Sequence, residues 1–118
     1  MNTPLTVSHD EMVLDRAIRD PAFRRALLLG ALEELLSGDR SVALSCLRTV
    51  IKASPGFPAV AEATGIHDKS LIRMLGPKGN PTTASLARIF RVLADHYNVD
   101  FVVKTTPRKK TKATAKAA

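Results

Sequence analysis

Apolar positions recur along this chain at three- and four-residue spacing, in blocks divided by Asp, Gly, Pro and Ser. Such spacing places the apolar side chains on one face of a helix. Ser8-His9-Asp10-Glu11 opens the first block with a capping-box pattern, Glu three residues after Ser, and predicts a short helix to about Ile18. Asp20-Pro21 opens the second, with Asp as cap and Pro at the first helical position. Phe23, Leu27, Leu28, Ala31, Leu32, Leu35 and Leu36 then form a wide apolar stripe, which Gly38 ends. Asp39 begins a third helix whose Ala43, Leu44, Leu47, Val50 and Ile51 face inward, and Pro55-Gly56 stops it. Towards the carboxyl end Leu86, Ile89, Phe90, Leu93 and Tyr97 repeat at the same spacing, with Thr83 as the expected cap. Arg88 and Arg91 fall off that stripe, as solvated charges or as phosphate contacts.

Between the third and last helices lies FPAVAEATGIHDKSLIRMLG, residues 57–76. An apolar run ends at Gly65, which turns the chain at little steric cost, and a second short run follows. Ala61 is small enough for two helices to pass closely, Ile66 plugs the turn, and Asp68 is the expected cap of the second helix. In that second helix Leu71, Met74 and Leu75 share one face, while Lys69, Ile72 and Arg73 share the other. This is the outline of a helix-turn-helix, whose second helix enters a DNA major groove. Arg73 suits guanine O6 and N7 or a phosphate, Lys69 a phosphate, and Ile72 a thymine methyl or a protein contact. The plainer reading is a helical hairpin with Gly65 as an ordinary helix stop. Residues 76–82 form a Gly- and Pro-rich turn, either approaching a phosphate beside Lys78 or simply linking two helices. The candidate DNA contacts are His67, Asp68, Lys69, Ser70, Ile72, Arg73, Lys78 and Asn80.

Residues 99–103, Val-Asp-Phe-Val-Val, break the helical pattern. Val99, Phe101 and Val103 share a side in an extended chain and predict a short strand. A lone strand needs a partner, so it pairs with its copy in a dimer, adds to a partner's sheet, or lies as an extended arm on the last helix.

Composition narrows the fold class. Hydrophobic residues are 45% of 118 but aromatics only 4%, with no Trp, so the core is built from Leu, Ala, Val and Ile and favours an all-α fold. The net charge of +7 is mostly tail: residues 104–118 carry Lys104, Arg108, Lys109, Lys110, Lys112 and Lys116 and no acid, leaving the body at +1. A segment so charged and so poor in apolar residues is expected to be disordered. Within the body, residues 1–40 hold seven acids against five bases, and residues 41–103 hold seven bases against four acids. The basic half therefore coincides with the candidate DNA-binding unit. The organisation expected is an arm and short helix over 1–20, a helical domain with its strand over 21–103, and the tail over 104–118.

The residues offer no catalytic chemistry. His9, His67 and His96 lie far apart, and with the single Cys46 they give no metal-binding spacing. No Ser stands in a nucleophile elbow, and Gly76 to Gly79 matches no phosphate-loop fingerprint. No cofactor is expected, and no enzyme. No apolar run reaches a membrane span, and the amino end lacks a signal-peptide pattern, so a cytoplasmic protein is expected.

The run AEATGIHDKSLIRMLGPKGNPTTASLARIFRVL resembles the probable addiction-module antidote proteins, helix-turn-helix antitoxins related to the Xre and HigA groups. The resemblance spans about residues 21–103 and is most specific at Ala61, Gly65, Leu71, Leu75 and Gly79-Asn80-Pro81. It implies a lambda-repressor-like domain of five to six helices. It also implies a homodimer on double-stranded operator DNA that represses its own operon and neutralises a RelE/ParE-like toxin. This chain departs from the family pattern at His67, Asp68 and Lys69, and at Ile72 where the family usually carries Tyr, so the operator sequence does not carry over. The alternatives are a toxin-free, phage-like Xre repressor and an interaction protein that has lost DNA binding.

Overall fold

The computed structural model describes residues 8–109. Residues 1–7 of the expected amino-terminal arm, and the tail beyond 109, lie outside the described residues. The described chain is all-α: α1 (His9–Arg19), α2 (Pro21–Ser37), α3 (Arg40–Ala53), α4 (Phe57–Thr64), α5 (Asp68–Met74) and α6 (Thr83–Tyr97).

The helix boundaries follow their caps. In α1 the Ser8 hydroxyl accepts from the Glu11 N–H while the Glu11 carboxylate accepts from the Ser8 N–H, both at 3.1 Å. Asp20 accepts from the Ala22 and Phe23 N–H groups to start α2, and Asp39 from Val42 to start α3. Thr82, one residue before the expected Thr83, caps α6 by accepting from the Ser85 N–H at 3.1 Å. Thr83 already has helical geometry, so its hydroxyl is one position too late to serve the orphan N–H groups.

α3 is the hub. Its Ala43, Leu44, Leu47, Val50 and Ile51 are buried as expected, and it packs on α1, α2 and α4. Around it, Leu28 of α2, Val60 of α4, Leu71 and Leu75, and Ile89, Phe90 and Leu93 of α6 close one core. Each fully buried aliphatic side chain contributes about 1.5–3 kcal/mol. Polar ties fix the periphery. Arg24 Nη1 donates to the carbonyls of Ala17 and Ile18 at 2.8 and 3.0 Å, joining α2 to the end of α1. Tyr97 Oη donates to the carbonyls of Val50 and Ser54, joining α6 to the end of α3, and burial raises its pKa despite the Arg24 guanidinium nearby. Burial also raises the pKa of the Cys46 thiol, with Glu34 adding to the effect, so it stays protonated among its apolar neighbours.

Two expectations are corrected. Among the described residues there is no strand: residues 98–109 run without paired backbone beyond the Asn98 and Val99 N–H groups, which bond to the carbonyls of Asp95 and Ala94 at the end of α6. Val99 and Phe101 pack on the core, Phe101 edge-on to Phe90 at 6.0 Å, while Val102 and Val103 face solvent. The described residues supply no second edge to pair with, and the segment lies as an extended arm on α6. Leu36, expected in the single wide apolar stripe of α2, is 68% exposed near the carboxyl end of the helix.

Candidate nucleic-acid interface

α4 and α5 meet through the turn 65–67. Gly65 adopts φ +77° and its N–H donates to Ala61 at 2.9 Å, ending α4 as a left-handed cap. The Thr64 hydroxyl donates to Val60 and accepts from the Ile66 N–H, which sets Ile66 against the core. The cap of α5 is His67, not Asp68: Nδ1 accepts from the Lys69 N–H at 3.2 Å. In the neutral ring this puts the proton on Nε2. Asp68 is the first helical residue, where its charge favours the amino end of the helix, and its Oδ1 lies 3.2 Å from His67 Nδ1.

α5 is two-faced as its spacing predicts. Leu71 and Leu75 are fully buried and Met74 packs against the core. Lys69, Ile72 and Arg73 are exposed, Ile72 by half its surface. Among the described residues neither Lys69 nor Arg73 forms an ion pair, so both keep their full charge for a ligand. Ser70 is half-buried beside them, and Lys78 and Asn80 are exposed in the turn after the helix. The opposite flank is less suited to phosphate. An open groove of about 520 Å³ lined by Pro58, Ala61, Gly65 and Ile66 also holds Glu62 and Asp68.

No protein-family model, no curated protein and no solved structure matches this chain.

The turn after α5 is held from α3. Arg48 Nη1 donates to the Leu75 carbonyl, an orphan acceptor at the end of α5. Arg40 Nη1 donates to the Gly79 carbonyl at 3.1 Å and to Asn80 Oδ1 at 2.9 Å. The Asn80 side chain therefore has its oxygen engaged and its NH₂ group left to donate outward. Gly79 does not serve ligand approach. It is buried, and a Cβ there would lie 1.9 Å from the Met74 carbonyl oxygen, so the turn exists only without a side chain at that position. Arg40 and Arg48 are the residues that sequence spacing missed. The signal was available: Arg40, Leu44 and Arg48 recur every four residues and share an edge of the inward face of α3.

Among the described residues no group of His, Cys, Asp and Glu could hold a metal ion, and no helix is long and apolar enough to cross a membrane.

Proposed function

We propose that the protein is a helix-turn-helix DNA-binding protein, with α4 and α5 as the motif and α5 as the reader. The observation that carries this reading is the division of α5: a buried apolar face, and an outward face with Lys69, Ile72 and Arg73 unpaired. Phosphate contacts from Lys69, Lys78 and the Asn80 amide would position the helix, and Arg73 would read a base edge. Two such helices in a homodimer, about 34 Å apart, fit successive major grooves of a palindromic site.

The biological role we propose is the antitoxin of a type II toxin–antitoxin module, neutralising a RelE/ParE-like toxin and repressing its own operon. The support for this is the resemblance over about residues 21–103, most specific at Ala61, Gly65, Leu71, Leu75 and Gly79-Asn80-Pro81. An antitoxin has no catalytic centre of its own, and none is proposed.

Titrating the chain against its own upstream region and against random duplex tests the DNA reading. Specific binding that weakens steeply with salt is expected, and equal affinity for both sequences at every salt concentration contradicts it. Co-expression with the adjacent gene product tests the second half: a stable complex that relieves toxicity supports the antitoxin, and no complex leaves a toxin-free repressor.

A further inference from the structure

α2 is the longest helix among the described residues and is apolar on both sides. Leu28 and Ala31 face the core. On the far side Ala22, Ala26, Leu29, Glu33 and Leu36 are all exposed, and they follow one another at alternating four- and three-residue spacing. That is the spacing of a helix–helix seam. Leu29 is 45% and Leu36 68% exposed, although a solvated helix face carries polar residues at such positions.

We propose that this face of α2 binds a second copy of the chain, the two α2 helices running antiparallel about a two-fold axis at Leu29. The charges select this occupant and this direction. Arg25 stands four residues before Leu29 and Glu33 four residues after it, both exposed and in no ion pair among the described residues. The two-fold axis sets Arg25 against Glu33 of the partner subunit, and does so twice. It also sets Ala22, seven residues before the axis, against Leu36 of the partner subunit, a small side chain opposite a large one. Parallel helices would align Arg25 with Arg25 and Glu33 with Glu33, which repel.

Gly30 fits the same contact. It sits mid-helix, where Gly is unfavourable, yet nothing in the chain lies within 4 Å of a Cβ built there. Its bareness lets a neighbouring backbone approach the seam. Beside Leu29, an apolar groove of about 440 Å³ between α2 and the arm, lined by Val99, Phe101 and the exposed Val102, widens the surface.

The proposal rests on the reading of the protein as a dimer, but its test needs no DNA. Sedimentation equilibrium of the full chain over a wide concentration range is expected to show a monomer–dimer equilibrium. Arg25→Glu or Glu33→Arg alone weakens the dimer about tenfold, and the double reversal restores it to within about threefold. Leu29→Lys leaves monomer only, with helical circular dichroism unchanged. A wild-type chain that stays monomeric at every concentration, single reversals that leave the dimer intact, or a double reversal that fails to restore it overturns the proposal. Duplex binding is scored separately, so a wrong contact surface and a wrong DNA reading give different results.

Discussion

The two turns that bracket α5 both depend on glycine, for opposite reasons. Before the helix, Gly65 has open space where a Cβ would stand but sits at φ +77°, so the constraint is conformational. After it, Gly79 needs no left-handed backbone, but a Cβ there would collide with the Met74 carbonyl, so the constraint is steric. The ends differ in their polar supports as well. The amino end is capped from within by His67, and the carboxyl end is held from α3 by Arg48 and Arg40. One end is secured by local geometry and the other by tertiary contacts, so a substitution at each should act differently.

The largest expected effect is at the crowded end. Gly79→Ala must displace the backbone of α5 and should cost about 3 kcal/mol in urea unfolding. An unchanged midpoint would mean the turn relaxes freely and the contrast is false. Next, Arg48→Met leaves the Leu75 carbonyl without its charged donor and should cost about 2 kcal/mol, partly recovered in Arg48→Lys. At the open end Gly65→Ala should cost only about 1.5 kcal/mol, the penalty of a left-handed non-glycine residue, and Gly65→Asn less than that. A cost for Gly65→Ala above that of Gly79→Ala would invert the comparison. The smallest effect is His67→Ala, about 1 kcal/mol, with His67→Asn close to wild type because Asn caps equally well.

Legibility followed the same division. Features fixed by neighbours in sequence were readable: the Ser8–Glu11 capping box, the Asp20-Pro21 start, the left-handed Gly65, and the alternation of Leu71 and Leu75 with Lys69 and Arg73. Caps were readable to within one residue, since Thr82 and Thr83, or His67 and Asp68, offer adjacent acceptors and only backbone geometry chooses between them. Features set by distant partners were not. Arg40 reaches a residue 39 positions away and Arg48 one 27 positions away, and a count of basic residues treats them as surface charge when both are spent on carbonyls. The 99–103 segment has strand propensity, but propensity does not supply the missing edge, and the chain packs Val99 and Phe101 as an arm instead. Leu36 reads as part of one stripe because a wide stripe in sequence does not reveal that α2 carries two apolar faces.

The outward face of α5 is tested most directly by Arg73→Ala, measured on the upstream duplex and on random duplex at the same salt concentration. A loss of about 1–3 kcal/mol on the upstream duplex, with a much smaller loss on random sequence, is the expected result. Identical affinities of wild type and variant on the upstream duplex would contradict it.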